Sequence, residues 1–361
     1  MSTKKIIFTG GGTAGHVTLN LALIPFFQKE GWQIFYIGSK TGIEKDLVNK
    51  LDNVKYYSIQ TGKLRRYFSF KNFIDTIKIP LGIIQAFFII LKIKPDLIFS
   101  KGGFVSVPVV IGGFFNRRTI LLHESDITPG LANKLSLPFV SALFTTFPDT
   151  EKHIKQKFRS KTQYIGPSVS DRFQKADKEK GLQFLSLSNK KPTLLFVGGS
   201  TGAKSLNDAV HQNLDSLLQN FQVVHLCGKG HTNPSIKKDN YKQFEFINKE
   251  FPDVLAASDV VISRAGANAI FEFLSIQKPM ILVPLSSATS RGEQELNAKS
   301  FQENGYCEII EDKSLSDSKN FVDSINNFYN NRQKYVSNMK NCKMKMTDND
   351  SLFIKIKNFA K

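Results

Sequence analysis

The stretch that decides the fold is Lys5-Ile-Ile-Phe-Thr-Gly10-Gly-Gly-Thr-Ala-Gly15-His16, which is followed by an apolar run from Leu19 to Glu30. A short apolar run that passes through glycines into a helical pattern is typical of a strand, loop and helix in a parallel sheet. Glycines let the backbone approach an anion, and the start of a helix offers free N–H groups and a positive dipole. The stretch therefore predicts a phosphate-binding loop.

Dinucleotide binding is the alternative use of this loop, because Gly10, Gly12 and Gly15 satisfy the spacing G-x-G-x-x-G. That fingerprint also expects an acidic residue after the second strand, which binds the ribose of NAD. Here the second strand ends Tyr36-Ile-Gly-Ser-Lys40, which contains no carboxylate. The spacing alone is a weak signal, so the sequence favours a phosphate loop over an NAD site.

The alternation of short apolar runs and helical patterns continues along the chain, as in a doubly wound parallel sheet. It stops at Tyr164-Ile-Gly-Pro-Ser168, where a Gly-Pro break precedes a polar, Lys-rich stretch, and it restarts at Thr193-Leu-Leu-Phe-Val197. We therefore predict two Rossmann-like domains, residues 1–165 and 166–361, and expect the second to end in a basic helical tail. Both ranges fall within the usual size of domains.

The formal net charge of +18 is the strongest compositional signal, because such an excess attracts nucleic acids, anionic membranes or phosphorylated substrates. A general bias towards Lys, Asn and Ile is the alternative explanation. The sequence has no RNP-type aromatic run, paired Cys/His spacing or basic low-complexity tail, so nucleic acid is a weak interpretation. The first residues show no signal-peptide pattern, and the three cysteines form no C-x-x-C pair. We therefore expect a protein of the reducing cytoplasm.

Polar residues that follow strands of the first half are candidates for substrate chemistry. His16 directly follows the glycine loop, where an imidazole can act as a general base; capping of the helix is the alternative. His123 and Glu124 end a buried strand, and one interpretation is a polar pair that supports the next loop. Asp126 lies further out and is the better candidate for binding a sugar hydroxyl.

The second half repeats the strand, glycine-rich loop and helix in Phe196-Val-Gly-Gly-Ser200-Thr-Gly202-Ala. Ser200 adds a hydroxyl donor to the backbone N–H groups, so this loop predicts a diphosphate cradle. A further strand leads into a helix that is predicted to carry Glu272 near its first turn, where the carboxylate could accept hydrogen bonds from ribose hydroxyls. The alternative is that a carboxylate near the start of a helix is favourable in itself. The polar stretch from Pro284 to Asn297 is predicted to be a loop that binds sugar hydroxyls, with a solvated loop as the alternative.

With these motifs the chain resembles the MurG family, the UDP-N-acetylglucosamine:undecaprenyl-diphospho-muramoylpentapeptide N-acetylglucosaminyltransferases of peptidoglycan synthesis. The motifs that carry the resemblance span almost the whole chain and are Gly10 to Val17, His123 to Asn133, Gly198 to Ala203, and Arg264 to Asn297. The resemblance implies the α/β architecture GT-B, two Rossmann-like domains with the active site in the cleft between them. It also implies an inverting transfer from UDP-N-acetylglucosamine to the C4 hydroxyl of lipid I, without a metal or other cofactor, at the cytoplasmic face of the bacterial membrane.

The resemblance further implies roles for individual residues. His16, the candidate base, and Glu272 would belong to the catalytic centre. The acceptor diphosphate would lie on the first glycine loop, at Gly11, Gly12, Thr13 and Gly15. The donor would be bound by Ser200 and the pair Ala267 and Asn268 at the phosphates, the Ile247 backbone at uracil, Glu272 at the ribose, and Gln294 and Asp126 at the transferred sugar.

Two positions depart from the pattern of the family. Many members carry Asn at the position of Asp126, and many carry Arg near the nucleotide at the position of Ser170, where Arg172 is a nearby substitute. The D-x-D motif Asp348-Asn-Asp350 lies in the polar tail rather than after a strand. It therefore does not predict a metal site.

The segment from Lys78 to Lys94 is apolar with basic flanks and is preceded by Lys63, Arg65 and Arg66. It is too short and interrupted to span a bilayer, which takes about 20 apolar residues. We expect a buried helix for most of its length, with one edge that contacts anionic lipid together with the basic cluster. Two alternative functions stay open, another UDP-sugar-dependent glycolipid synthase of the GT-B fold and a noncatalytic nucleotide-binding module.

Overall fold

The computed structural model describes residues 3–62, 70–199, 201–286 and 291–360, and of residues 70–77 it describes the backbone. These residues form two compact units. The first unit comprises the chain up to Ser168 together with the segment from Lys345 onward, and the second comprises Val169–Met344.

The first unit is built on a parallel sheet. In chain order its described strands are β1 (Lys5–Thr9), β2 (Gln33–Ser39), β3 (Val54–Ile59), β4 (Leu97–Ser100), β5 (Thr119–Glu124), β6 (Ala142–Thr145) and β7 (Thr162–Tyr164). Neighbours in the sheet follow the order β3-β2-β1-β4-β5-β6-β7. Because side chains alternate along a strand, Ile6 and Phe8 enter the core on one face while Ile7 enters the core on the other. Burial on both faces explains why the strands read as continuous apolar runs.

Helices supply the other half of both cores. The described helices of this part are α1 (Thr18–Lys29), α2 (Ile43–Val48), α3 (Phe70–Ile93), α4 (Ser106–Phe115), α5 (Leu131–Ser136) and α6 (Gln156–Arg159), with 3-10 turns at Ala14–His16, Leu137–Phe139 and Pro148–His153. Leu23 and Phe27 of α1 pack on one face, and Ala86 and Ile90 of α3 pack on the other. Among the described helices, none is both long enough and apolar enough to cross a membrane.

The second unit has a parallel sheet of the same kind. Its described strands are β8 (Thr193–Val197), β9 (Gln222–Leu226), β10 (Tyr241–Phe244), β11 (Val260–Ser263), β12 (Met280–Leu282) and β13 (Cys307–Ile309). They follow the order β10-β9-β8-β11-β12-β13. Its described helices are α7 (Lys178–Leu185), α8 (Lys204–Gln212), α9 (Leu214–Asn220), α10 (Phe251–Ala257), α11 (Ala267–Ser275), α12 (Glu293–Glu303) and α13 (Ser318–Lys340), with a 3-10 turn at Asp312–Ser316.

In both sheets the strand order reverses beside the strand that leads into a glycine-rich loop. β1 lies between β2 and β4, and β8 lies between β9 and β11. In open parallel sheets, ligands bind beyond the carboxyl ends of the strands at such a reversal. The fold therefore places both predicted phosphate loops where a ligand is expected, and the prediction of two Rossmann-like sheets is confirmed.

The predicted domain range 166–361 is wrong at the end of the chain. The last helix, α14 (Asn349–Lys357), belongs to the first unit rather than to the second. Leu352 and Ile356 are fully buried in the core that α1 covers, and the ring of Phe353 lies 4.8 Å from that of Phe27. The apolar face of the tail thus completes a core whose other buried residues lie between Ile6 and Ile165. The ion pair between Lys357 and Glu30 (|i−j| = 327) joins the same distant parts of the chain.

The first boundary also shifts slightly, from residue 165 to Ser168. The reason is that the returning tail pairs with the chain just before the boundary. Thr347 donates its N–H to the carbonyl of Pro167 at 2.9 Å, and Ser168 forms an isolated parallel bridge with Thr347. The segment that links β7 to the second unit is therefore still held by the first.

We expect the substitution Phe353→Leu to lower the free energy of unfolding of the protein by about 1 kcal/mol. Leucine keeps most of the apolar burial but loses the edge contact with Phe27 and the stacking on Phe26 at 5.9 Å. Urea unfolding followed by circular dichroism measures the change. Phe246→Leu is the control, because Phe246 is 57% exposed; an equal loss in both variants would contradict the assignment of the tail to the core.

Candidate functional site

The first glycine loop lies against a second loop of the same unit. Gly12 has a φ of +86°, in the left-handed region that favours glycine. A Cβ atom at Gly12 would lie 2.5 Å from the ring of Phe104. Both the backbone conformation and the close approach therefore exclude a side chain here.

The loop ends in the 3-10 turn Ala14–His16, so that α1 begins only at Thr18. The Nδ1 atom of His16 lies 2.9 Å from Oγ1 of Thr13. If Nδ1 carries the proton and donates it to Thr13, Nε2 keeps the lone pair that a general base needs. The structure thus brings two predicted residues together, and it orients the imidazole of His16 in a way compatible with its predicted role.

Glu44, which sequence reasoning missed, is fully buried beneath this loop. Its Oε2 accepts a hydrogen bond from the N–H of Gly12 at 3.2 Å, and its Oε1 accepts one from the N–H of Ser39 at 3.0 Å. The N–H of Gly12 is therefore directed to a carboxylate of the protein rather than to a phosphate. The N–H groups of Gly11 and Thr13 have no hydrogen-bond partner among the described residues, so they are the better donors to an anion.

A second loop of the first unit, Lys101–Phe104, was also missed; we call it the lysine loop. It follows β4, and the N–H of Lys101 donates to the carbonyl of Thr9 at the end of β1 at 2.9 Å. Gly103 has a φ of +82°, and a Cβ atom there would overlap the carbonyl oxygen of Gly11. The sequence signal was present, because Ser100-Lys-Gly-Gly-Phe104 follows a buried strand that neighbours β1 in the common strand order.

The residues that end β5 support the next loop, as one interpretation of the sequence proposed, although His123 and Glu124 bind different partners. Glu124 is buried and accepts hydrogen bonds from the N–H of Asp126 at 3.0 Å, the N–H of Gly130 at 2.9 Å and the amide of Asn133 at 2.8 Å. Burial raises the pKa of Glu124 above its usual range. Asp126 is half-buried and lies further out than Glu124, as predicted, but its contact with a sugar stays a prediction.

The glycine-rich loop of the second unit is packed against the end of β9. Gly202 has a φ of +78°, and a Cβ atom there would overlap the carbonyl oxygen of Cys227. The loop leads into α8, which starts at Lys204. Ser200 lies outside the described residues, so its contact with the donor phosphates stays a prediction.

Arg264 forms a buried junction that sequence reasoning did not single out. Its Nη1 donates to Asp312 at 2.6 Å and to the carbonyl of Val283 at 3.0 Å, and its Nη2 donates to the hydroxyl of Ser205 at 2.8 Å. Ser205 lies in the first turn of α8. One guanidinium therefore joins the ends of β11 and β12 to the helix that follows the glycine-rich loop, and fixes where that loop lies.

The helix α11 begins at Ala267 after Gly266, and no described side chain caps its start. Its first N–H groups are consistent with the predicted contact of Ala267 and Asn268 with the phosphates. Glu272 lies in the second turn of α11, close to its predicted position near the first turn. Arg264 to Gly266 form the loop between β11 and this helix.

The carboxyl group of Glu272 lies in a site that excludes much of the surrounding water. Burial raises its pKa to about 7, and the positive charge of Arg172 opposes this rise. Arg172 therefore lies near enough to affect the pKa of Glu272. The backbone N–H of Arg172 donates to the hydroxyl oxygen of Ser170 at 3.4 Å. Although Ser170 stands where many members of the family carry Arg, the positive charge of Arg172 therefore lies beside the predicted ribose site.

Two further predicted donor residues lie on different elements of the second unit. Ile247 follows β10, and its N–H and carbonyl have no hydrogen-bond partner among the described residues. Gln294 lies in the first turn of α12, so the stretch predicted as a loop is helical from Glu293 onward. The Oε1 of Gln294 accepts a hydrogen bond from the N–H of Leu285 at 3.1 Å, which leaves its NH₂ group for the predicted contact with the sugar.

No three His, Cys, Asp or Glu side chains are grouped as metal ligands within the described part of the chain. The D-x-D motif has a local structural role instead. Asp348 caps α14, where it accepts the N–H of Ser351 at 2.7 Å. The motif is thus explained by the start of the helix.

Comparisons with known proteins agree with this arrangement. Residues 6–145 match the glycosyltransferase family 28 N-terminal domain, and residues 193–352 match its C-terminal domain. A Bacillus cereus protein named UDP-N-acetylglucosamine–N-acetylmuramyl-(pentapeptide) pyrophosphoryl-undecaprenol N-acetylglucosamine transferase 2 is 51% identical over 93% of this chain and 95% of its own. A Clostridium tetani protein named as the same transferase is 50% identical over 95% of this chain and 94% of its own.

Solved structures share the fold at low sequence identity. The crystal structure of Acinetobacter baumannii MurG aligns with a TM-score of 0.75 at 20% identity, over 99% of this chain and 100% of that one. A structure described as a UDP-N-acetylglucosamine 2-epimerase from Listeria monocytogenes aligns with a TM-score of 0.62 at 11% identity, over 93% and 91% of the chains. Since both kinds of protein share this fold, the fold alone does not determine the reaction.

Proposed function

Because the chain belongs to the MurG family of N-acetylglucosaminyltransferases within glycosyltransferase family 28, we propose that it converts lipid I to lipid II in peptidoglycan synthesis. The donor is UDP-N-acetylglucosamine, and the acceptor is the C4 hydroxyl of the muramoyl sugar on an undecaprenyl diphosphate. The observation that carries the proposal is identity of about one half to named transferases over nearly the whole chain. The loops at both strand-order reversals supply the phosphate sites that these two substrates need.

The acceptor diphosphate lies on the first glycine loop in this proposal. The N–H groups of Gly11 and Thr13, which have no partner in the described part of the chain, donate to it, while Glu44 holds the loop from beneath through Gly12. Thr13 also orients His16. The same loop therefore binds the charged part of the acceptor and carries the candidate base for its hydroxyl.

The donor is bound by the second unit. The starts of α8 and α11 direct N–H groups and positive dipole ends at the diphosphate, and Arg264 fixes the first of them through Ser205. Glu272 accepts hydrogen bonds from the ribose, the main chain of Ile247 binds uracil, and Gln294 donates to the transferred sugar. Each of these groups is placed at the carboxyl side of the sheet.

The reaction is a displacement at the anomeric carbon. His16 accepts the proton of the acceptor C4 hydroxyl, whose oxygen forms a bond to C1 of N-acetylglucosamine from the face opposite the diphosphate. The bond between C1 and the diphosphate oxygen breaks, and UDP leaves with the electron pair. Preorganised N–H donors stabilise the developing negative charge, so we propose that transfer requires no metal.

Transfer of labelled N-acetylglucosamine to a short-chain lipid I analogue in the presence of EDTA tests the proposal. Formation of a lipid II analogue with inverted anomeric configuration is the expected result. Free N-acetylmannosamine or an epimerised nucleotide instead of a glycolipid would assign the chain a different activity on the same fold. Binding of UDP without turnover on any lipid acceptor would indicate a noncatalytic module.

We also propose that the protein attaches to the membrane surface through α3 and α4. Leu81, Ile84, Phe88 and Leu91 are 45–61% exposed, and their spacing places them on one face of α3. Phe115 at the end of α4 is 62% exposed. An exposed apolar surface of this kind is typical of an interaction site.

The opposite face of α3 is the buried helix that the sequence predicted. Ala86, Ile90 and Ile93 of α3 are buried in the core. Lys92 and Lys94 are exposed beside the apolar stripe, where they can bind anionic headgroups. The basic cluster Lys63, Arg65 and Arg66 lies outside the described residues.

We expect the double substitution Ile84→Ser and Phe88→Ser to weaken binding to vesicles of anionic phospholipid by about tenfold or more, because each apolar side chain stabilises insertion by about 1.5–3 kcal/mol. Co-sedimentation with vesicles measures the change. Turnover of a water-soluble acceptor analogue should stay at the wild-type level. Phe184→Ser is the control, since Phe184 is 42% exposed on the second unit. This surface would be excluded if vesicle binding persisted in the double variant but was lost in the control.

A further inference from the structure

Lys101 is a buried lysine that the proposed mechanism does not use. Its side chain is only 2% exposed, and its Nζ lies 2.9 Å from Nδ1 of His123 and also donates to the hydroxyl of Ser125. The Cβ atom that Gly10 lacks would lie 3.1 Å from the Cβ atom of Lys101. Lys101 therefore lies between the first glycine loop and the loop that carries Asp126.

The contact fixes the protonation of His123. An ammonium group has only donors, so Nδ1 of His123 must accept, and the ring proton must lie on Nε2. His123 is 3% exposed, and its Nε2 has no hydrogen-bond partner among the described residues. The bond to Lys101 is therefore the one hydrogen bond that orients this imidazole in the described chain.

Several titratable groups surround Lys101. Glu124, the last residue of β5, and Asp126 on the loop after it stabilise the charged form of Lys101. His123 on β5 is neutral because burial and Lys101 hold its pKa well below the usual range. His16 lies at the end of the neighbouring glycine loop. Burial outweighs the carboxylates and lowers the pKa of Lys101 to about 8. Lys101 thus carries a positive charge near neutral pH and loses it in mildly alkaline solution.

We propose that Lys101 is a positioning residue for acceptor binding, whose ammonium fixes the tautomer of His123 and supplies positive charge between the first glycine loop and the loop that carries Asp126. The inference rests on the proposed function, because the acceptor diphosphate is placed on the first of these loops. A cation enclosed by protein attracts the diphosphate more strongly than an exposed lysine does, since little water screens it. Hydrogen bonds to His123 and Ser125 keep the ammonium at a fixed depth.

Two substitutions separate the charge from the hydrogen bond. Lys101→Met removes both, whereas Lys101→Gln removes the charge and keeps an N–H donor for His123. We expect both variants to raise the KM for the lipid I analogue by about tenfold or more, with the KM for UDP-N-acetylglucosamine unchanged. In the wild type, kcat/KM for the acceptor should fall above about pH 8, and both variants should lack this fall.

Nitrogen-15 NMR of labelled histidine provides the readout that does not depend on turnover. His123, identified by the loss of its signals in His123→Gln, should be the Nε2-protonated tautomer in the wild type and in Lys101→Gln. The Lys101→Met variant should lose this tautomeric preference. If the wild type transferred no sugar to any lipid acceptor while this pattern held, the proposed function would fail and the positioning of His123 would stand.

Lys278 is the matched control. It is a half-buried lysine whose pKa is also lowered to about 8 by burial, but it lies in the second unit and donates to the carbonyl of Ala256 at 3.2 Å. Lys278→Met should change stability without changing the acceptor KM or the alkaline fall. An unchanged acceptor KM in both folded Lys101 variants, or an equal effect of Lys278→Met, would overturn the proposal.

Discussion

The substitution His16→Ala is expected to lower kcat for transfer by about 10²–10⁴-fold, the range that removal of a general base produces. Binding of UDP-N-acetylglucosamine should stay unchanged, because His16 lies on the first unit and the residues proposed to bind the nucleotide part of the donor lie on the second. Single-turnover kinetics with the lipid I analogue measures the chemical step, and calorimetric titration measures donor binding. The combination of lost chemistry and intact donor affinity separates a base from a residue that holds the nucleotide.

Thr13 and His153 provide the controls for this prediction. Thr13→Val removes the hydrogen bond to Nδ1 at 2.9 Å but keeps the imidazole, so kcat should fall by a smaller factor than in His16→Ala. His153→Ala replaces an exposed histidine of the same unit and should leave kcat unchanged. Wild-type kcat in His16→Ala would assign the base to another residue.

The substitution Glu272→Gln is expected to weaken binding of UDP-N-acetylglucosamine by about 10- to 100-fold at pH 8, because a hydrogen bond to a charged group contributes about 1.5–3 kcal/mol. The pKa of Glu272 near 7 makes this affinity depend on pH. The carboxylate that accepts the ribose hydroxyls forms as the pH rises through about 7, so donor affinity of the wild type should rise over the same interval. Titration calorimetry between about pH 6 and pH 8 measures it.

The stability of the protein without bound donor should change with pH in the direction opposite to donor affinity. Since folding raises the pKa of Glu272 above its ordinary 4.5, the contribution of this group to stability is full below that value and is lost as the pH rises through about 7. Glu272→Gln should remove both trends together. Glu303→Gln, at an exposed position of α12, should remove neither; a pH-dependent affinity that persists in Glu272→Gln would assign the titration to another group.

Local sequence patterns were sufficient to predict most of the fold. The runs Lys5 to Thr9 and Thr193 to Val197 are apolar because these strands are buried on both faces, and each is followed by glycines at a strand-order reversal. Each glycine-rich loop directly follows its strand in the sequence, and its conformation depends on residues close by in the chain. The positions of both loops were therefore predicted correctly. The position of His16 directly after the first glycine loop was likewise evident from the local sequence.

Features that depend on distant contacts could not be predicted in this way. Glu44 looks like an ordinary residue at the start of a helix, and only the fold brings it to the N–H of Gly12, which lies 32 positions earlier. Lys101 looks like an exposed lysine until β4 and β5 enclose it. Phe353 shows the same limit, because an amphipathic tail does not reveal which core it completes.

The return of the chain to the first unit also restricts how the protein can be made. A nascent chain emerges from the ribosome with its amino end first, and domains that are contiguous in sequence generally fold in that order. Here the first sheet is synthesised early, but Leu352, Phe353 and Ile356 that close its core emerge only after the whole second unit has been translated. The first unit therefore reaches its native state only after the second unit has been translated, and its uncovered apolar surface must be kept from aggregating until Ile356 has emerged.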